Sequence, residues 1–374
     1  LKENPLTDIR LRKFAQILVD HSTKVGPGDR VAITATTAAE PLVRALYELV
    51  LDRGGQPHVL FDFPGQDEIF YRHAGDEQLD FVPLFHRMAF EEFEVLVKIR
   101  SELNTRALSG LDPVRQSRRQ KALSTLLAAQ MRRGAEKSLR WMSTLFPTQA
   151  YAMEAEMGFE EYQDFVYTAL HADENTPDPV AYWQGVEREQ KGIVDRIEGH
   201  DRVVLRGPNV DLSLSIKGRT FRNASGQHNL PDGEIYTGPV EDSANGWVRY
   251  TYPAIYLGRM VEGVELTFEG GRVVRATAVK NEEFLNHVLD SDAGSRYLGE
   301  FAIGTNFEID RFTHNILFDE KIGGSFHMAV GAGYPETGSQ NKSVVHWDMI
   351  CDMRQDAEIL VDGEVVYRNG SFVF

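Results

Sequence analysis

The texture of this chain changes once, near residue 200, and that change constrains its fold more than any single motif. Before it, apolar residues recur at helical spacing between short strand candidates; after it, strand-like runs dominate. At 374 residues the chain exceeds the size at which a single hydrophobic core stops growing. Two domains are therefore expected, residues 1–200 and residues 201–374.

The first eighty residues alternate helix and strand. Leu11, Phe14, Ala15 and Leu18 form an apolar helical stripe, stopped by the turn Gly26-Pro27-Gly28. Val31-Ala32-Ile33 is a short buried-strand candidate. Leu42, Ala45, Leu46 and Leu49 mark a second helix, ended by Gly54-Gly55, and His58-Val59-Leu60-Phe61 follows as another strand. A β-α-β order with short connections predicts an α/β domain with a parallel sheet. It carries neither G-x-G-x-x-G nor G-x-x-x-x-G-K, so a nucleotide site has no local support. From about 82 to 195 the pattern is helical almost throughout, a helical extension interrupted at Gly110-Leu111-Asp112-Pro113 and Pro147. Asp173 to Pro179 reads as a loop.

Composition narrows the partners. A net charge of -16 disfavours nucleic acid, which needs a basic surface. One basic region exists, with Arg115, Arg118, Arg119, Lys121, Arg132, Arg133, Lys137 and Arg140. It reads either as a solvated helix face or as a patch attracting a carboxylate or a partner subunit. No window approaches the 18 apolar residues of a membrane span. The start, Leu1-Lys2-Glu3-Asn4-Pro5, lacks the pattern of a secretory signal, and Cys351 is the only cysteine. A cytoplasmic location is expected.

Beyond residue 200, Val203-Val204-Leu205, Leu212 to Ile216, Val264 to Phe268, Val273 to Thr277 and Glu358 to Val361 read as strands. Gly270-Gly271 and Asp362-Gly363 are hairpin signals, and one helix runs from about Asn281 to Leu289. The segment Ser343 to Ile350 is predicted as a strand that places His346 and Asp348 on one face, with Val345, Trp347 and Met349 on the other. An imidazole and a carboxylate two apart on a buried strand need compensation. A divalent metal would supply it, and so would a structural His–Asp pair. His327 lies in a short apolar strand flanked by glycines, where a satisfied core histidine is the plain alternative to a ligand. Tyr334 follows just beyond that strand. Glu234 opens a strand after a turn, and Glu300 sits in a run of apolar and small residues. Each glutamate fits an inward salt bridge as well as a ligand role.

These segments together resemble the M29 metallopeptidases, the thermophilic aminopeptidase family. The stretches that carry the resemblance are Asn229 to Pro239, Gly299 to Asn306, Leu317 to Gly331 with Tyr334, and His346-Trp347-Asp348. Val25 to Val31 and Phe146-Pro147-Thr148 also follow the family pattern, so the resemblance spans nearly the whole chain. It implies a strand-rich α+β catalytic, metal-binding domain over residues 201–374, and two divalent metal ions per subunit. Their ligands would be Glu234, Glu300, His327, His346 and Asp348. Glu300 is also a candidate general base, Tyr334 falls beside the reacting carbonyl, and Glu320 is a further active-site carboxylate. Zinc, cobalt, manganese and magnesium all suit a mixed N/O donor set without cysteine. The implied activity is release of N-terminal residues from short peptides with a free N-terminus by a homodimer, with no nucleic acid or membrane partner. The stretch from Tyr334 to His346 is short for the family, which bears on the substrate entrance. Two other readings use similar ligands. A metal-dependent phosphoester hydrolase would expect arginines at the site, with Arg311 the only one close in sequence. A metal-stabilised binding protein would have no turnover.

Overall fold

Residues 8–374 are described by the computed structural model; the reading of Leu1 to Pro5 lies outside them. Helix α1 (Ile9–Gln16) is capped by Asp8, which accepts from the Arg10 amide, and it buries Leu11, Phe14 and Ala15. The chain continues through a wider helical turn, Ile17–Ser22, into strand β1 (Arg30–Thr36). Helix α2 (Glu40–Asp52) buries Leu42, Leu46 and Val50 and leads to β2 (Gln56–Asp62), parallel to β1. The expected β-α-β unit is present.

Helices α3 (Gln66–His73), α4 (Asp76–Asp80) and α5 (Leu84–Glu92) follow. The expectation of near-continuous helix from 82 to 195 then needs correction. Strand β3 (Val95–Arg100) pairs with β1, and β4 (Arg140–Leu145) pairs with β3, both parallel. Val95-Leu96-Val97 are all buried, as strands covered on both faces are. Such a run lacks the alternation that separates a strand from a buried helix. Between these strands lies α6 (Pro113–Ala135), and α7 (Gln149–Glu154), α8 (Phe159–Ala169) and α9 (Pro179–Ile197) complete the helical part.

The basic region on and after α6 is largely engaged. Arg115 donates to the carbonyls of Tyr71 and Ala74, Arg119 to those of Leu79 and Phe81, and Arg133 to that of Phe90. Arg118 pairs with Asp76 and Asp80. These guanidinium groups stitch α3, α4 and α5 to α6; Lys121, Arg132 and Lys137 are exposed.

The later strands are β5 (Arg202–Gly207), β6 (Val210–Ser215), β7 (Arg222–Ala224), β8 (Asn229–Leu230), β9 (Glu234–Thr237) and β10 (Asn245–Arg249). Then come β11 (Ala254–Tyr256), β12 (Arg259–Val261), β13 (Glu265–Glu269), β14 (Arg272–Thr277), helix α10 (Glu282–Leu289) and β15 (Leu298–Gly304). Helix α11 (Ile316–Asp319) precedes β16 (Ser325–Gly331), β17 (His346–Asp352), β18 (Glu358–Val361), β19 (Glu364–Arg368) and β20 (Ser371–Phe372). The predicted hairpins join β13 to β14 and β18 to β19.

By internal contacts the chain forms two units. One runs to Gln184 and takes in Gly226–Pro231; the other comprises Gly185–Ser225 and Asp232–Phe374. The first holds the parallel sheet β2-β1-β3-β4, to which β8 adds at the β4 edge. The second holds an eight-stranded antiparallel sheet, β14-β13-β10-β6-β5-β18-β19-β20, and a five-stranded one, β17-β16-β15-β9-β7. One core cluster joins Leu205, Leu212, Leu266 and Ile359 of the larger sheet to Phe301, Phe326, Met328, Trp347 and Met349 of the smaller. No helix of the described residues is long and apolar enough to cross a membrane.

Candidate metal centre

The five-stranded sheet gathers the predicted ligands through its register. In antiparallel pairs, residues directly opposite one another share a face, and alternate residues along a strand share it too. Asp348 on β17 faces Ala329 on β16, His346 faces Gly331, and His327 lies two residues before Ala329. Glu300 on β15 also faces Ala329, and Ala302 faces His327. Gly304 on β15 faces Glu234 on β9. All five side chains therefore emerge on one face of four adjacent strands. Trp347, Met349, Met328, Val330, Phe301, Ile303 and Ile235 emerge on the other, where they build the core. The burial that anchors these strands also sets the direction of the polar side chains.

Backbone proximity at the strand ends is permitted by glycine. Gly331 has φ +97°, and a Cβ there would run into the Val345 carbonyl. Opposite it, His346 is held by its ring: Nδ1 lies 2.8 Å from the Ala332 carbonyl oxygen. A bond from Nδ1–H to that carbonyl leaves the Nε2 lone pair facing the carboxylates.

The distances describe a compact cage. His327 Nε2 is 3.3 Å from Glu234 Oε2 and 3.7 Å from Glu300 Oε1. His346 Nε2 is 3.4 Å from Glu300 Oε2 and 3.6 Å from Asp348 Oδ1. Three sets of donor atoms each lie within 4.8 Å of one another: Glu234, Glu300 and His327; Glu300, His346 and Asp348; and Glu320, His327 and Asp348. Glu320 follows α11 and thus joins the cage from outside the sheet. Tyr334, 40% exposed, meets His346 edge-on with ring centroids 5.3 Å apart, and Tyr236 leans on Tyr334 at 5.6 Å.

Burial and crowded charge shift the protonation of this cage. Burial disfavours the charged form of Glu234 and raises its pKa to about 8, against the opposing charge of Lys321. For His327 burial works against the imidazolium, but the adjacent carboxylates of Glu300, Glu234 and Asp348 prevail, raising it to about 9. His346 is opposed by burial in the same way and raised by Asp348 and Glu300. The Tyr334 phenol is raised by burial and by Glu300 and Asp348, so it remains a donor. Glu234 Oε2 and Asp348 Oδ1 are buried without a hydrogen-bond partner. Carboxylate oxygens and imidazole nitrogens converging with orphaned lone pairs fit a divalent metal, and the donor set has no thiolate.

The family described as thermophilic metalloprotease (M29) matches residues 7–372. The chain belongs to this family. Aminopeptidase 2 of Geobacillus stearothermophilus is 27% identical over 414 residues, covering 97% of this chain and 98% of its own length. The solved structure of wild-type AmpT from Thermus thermophilus superimposes with a TM-score of 0.85 at 25% identity, over 98% of this chain and 99% of that one. A 2,5-dihydroxypyridine dioxygenase from Pseudomonas putida KT2440 shares the fold with a TM-score of 0.55 at 13% identity, over 97% and 96% of the two chains. The family, as metalloproteases, uses a divalent metal. The M29 chain described here has its mixed architecture of parallel and antiparallel sheets.

Two charged residues of the cage were not singled out from the sequence. Lys321 is fully buried, with Nζ 2.6 Å from Glu234 Oε1, bonded to Glu320 Oε1 and 3.9 Å from Asp232 Oδ1. Asp232, buried at 2%, is the second. In Asp319-Glu320-Lys321 a lysine after two acids reads as a solvated charge run. The only contrary signal was Ile322-Gly323-Gly324 immediately after it. Arg311 is 46% exposed and bonded to Asp310.

Proposed function

We propose that this chain is a dinuclear metal-dependent aminopeptidase that releases N-terminal residues from short peptides. The observation that carries the reading is the convergence of Glu234, Glu300, His327, His346 and Asp348 on one sheet face, with orphaned buried oxygens among them. Membership of a metalloprotease family and relatives named as aminopeptidases support it.

Glu234, Glu300 and His327 would hold one ion, and Glu300, His346 and Asp348 the other. Glu300 is shared because its two oxygens face different histidines. Bound divalent ions would polarise the scissile carbonyl and acidify a water. Glu300 and Glu320 are the carboxylates placed to take that water's proton and return it to the leaving amine. The Tyr334 hydroxyl, kept protonated, donates to the oxygen on which negative charge develops. An acidic cage also attracts the α-ammonium of a peptide, consistent with attack at the N-terminal residue. In this reading residues 201–374 form the catalytic domain and residues 1–200 the second. A homodimer and a cytoplasmic location belong to the same proposal; light scattering reads the first.

The test uses protein stripped by chelator and restored with zinc, cobalt, manganese or magnesium. Aminoacyl-arylamides with a free α-amine should be hydrolysed and their N-acetylated forms left intact. Absence of turnover with all four metals overturns the proposal. Turnover of aryl phosphates instead would favour phosphoester hydrolysis, which the half-exposed Arg311, bonded to Asp310, does not support.

A further inference from the structure

A fully buried lysine beside a group of metal-ligand carboxylates is unexpected on electrostatic grounds, because a resident ammonium competes with the cations those carboxylates would bind. Lys321 is 0% exposed. Its backbone is pinned: its amide donates to the Phe318 carbonyl at 2.9 Å, and its carbonyl accepts from the Asn306 amide at 3.1 Å. The preceding turn is fixed in its turn by Asp319, whose Oδ1 accepts from both the amide and the hydroxyl of Thr313. The ammonium is thus delivered to one place by well-anchored backbone.

What it does there is specific. It donates to Oε1 of Glu234 and to Oε1 of Glu320. The other oxygen of Glu234, Oε2, has no hydrogen-bond partner and lies 3.3 Å from His327 Nε2. A carboxylate free on both oxygens can clamp one ion through both or spread over two ions. With one oxygen bonded to an ammonium, which offsets its charge and fixes its direction, the other becomes the favoured donor to an ion.

We propose that Lys321 is a positioning residue that holds one oxygen of Glu234, so that this ligand meets the metal centre through a single oxygen, and one oxygen of Glu320, which fixes that carboxylate beside the centre. The inference rests on the metal-centre reading above. Single-oxygen ligation leaves coordination positions open for water and substrate, the condition that separates a catalytic from a closed structural site. Lys321 therefore limits how fully the protein itself saturates the ions.

The experiment compares wild type with Lys321→Met, using Co²⁺ as the probe on chelator-treated protein. Titration followed by visible absorption reads affinity and coordination number without any turnover. For Lys321→Met we expect Co²⁺ affinity equal to wild type or up to about tenfold tighter, since a competing cation is gone. The visible bands should weaken, as they do when cobalt gains ligands. With aminoacyl-arylamide, kcat should fall at least about 100-fold while KM stays within about threefold, the pattern of a lost transition-state contribution. An unchanged cobalt spectrum overturns the proposal. So does affinity more than tenfold weaker with kcat restored at saturating metal, because Lys321 would then merely support the cage. If Lys321→Met does not fold, Lys321→Gln takes its place under the same readings; failure of both to fold assigns Lys321 to the core and ends the proposal. If wild type binds cobalt but hydrolyses no peptide, the aminopeptidase reading fails while the spectral comparison still decides the role of Lys321.

Discussion

Oε2 of Glu300 lies 3.4 Å from Nε2 of His346, while the other oxygen of the same carboxylate turns toward His327. One side chain on the central strand β15 thus faces both histidines, which stand on β16 and β17. In the proposed dinuclear centre this carboxylate would be shared between the two ions. Glu300→Gln keeps the shape and one acceptor oxygen but removes the charge. We expect metal affinity to fall by at least about 100-fold, since even outer-shell changes at such sites cost 10–100-fold. Stoichiometry should drop from two ions to one or fewer by elemental analysis after dialysis. Two tightly bound ions in Glu300→Gln would show that the carboxylate is not shared.

Tyr334 differs from the other site residues in being 40% exposed and in offering a donor rather than a metal-ligating lone pair. Its raised pKa keeps the hydroxyl protonated beside Glu300 and Asp348. Tyr334→Phe should lower kcat by about 10²–10³-fold, the usual result of losing one oxyanion donor. KM and bound metal should stay as in wild type. Loss of metal together with activity would reassign Tyr334 to the ligand set.

Much of this site was legible in the sequence, for a physical reason. His346 and Asp348 alternate with Trp347 and Met349, and β17 buries Trp347 and Met349 while leaving the histidine and aspartate partly open. The period of two told which residues share a face of one strand. It could not tell which strands are neighbours, since β9 and β15 are joined by register rather than by sequence. Family resemblance supplied that link. Elsewhere the local signal failed: β3 buries Val95, Leu96 and Val97 in succession and β4 buries Met142 through Leu145, so neither alternates, and β8 is two residues long and pairs with β4 some 86 positions earlier. Lys321 was hidden because a lysine in an acidic run is ordinarily solvated, and only the packed structure shows its burial.

Metal binding should tighten as pH rises. In the metal-free cage His327 holds its proton up to about 9, against an ordinary value of 6.5. A raised folded-state pKa means that the proton's stabilising contribution is fully present below about 6.5 and is lost as pH climbs through about 9. Ligation needs the neutral imidazole, so proton and metal compete across that window. The dissociation constant for zinc should fall by up to about tenfold per pH unit between 7 and 9 and level off above. Over the same range the metal-free protein should lose thermal stability. Chelator competition at fixed ionic strength measures the first and calorimetric melting the second. An affinity flat from pH 6.5 to 9 would mean that His327 carries no such proton.

Asp292 anchors the segment that enters β17 and so supports His346 from a distance. Its carboxylate accepts from the Val344 amide at 2.7 Å, from the Ser343 hydroxyl at 2.9 Å through either oxygen, and from the Gly294 and Ser295 amides. The Val344 bond leads, burial opposes it, and the remaining donors add, so the pKa falls to about 2. A depressed folded-state pKa gives stability that is fully present above about pH 4 and is lost as pH falls through about 2. Asp292→Asn should therefore destabilise the protein at pH 7 by about 1 kcal/mol, a figure reduced from the usual charged hydrogen bond because the group is partly solvated. The gap between variant and wild type should narrow below pH 4 and close near pH 2. Urea unfolding at pH 7, 4 and 3 reads it directly. A gap of constant size down to pH 3 would place the effect in side-chain shape rather than in charge, and the anchor of the β17 entry would then be the serine and backbone network alone.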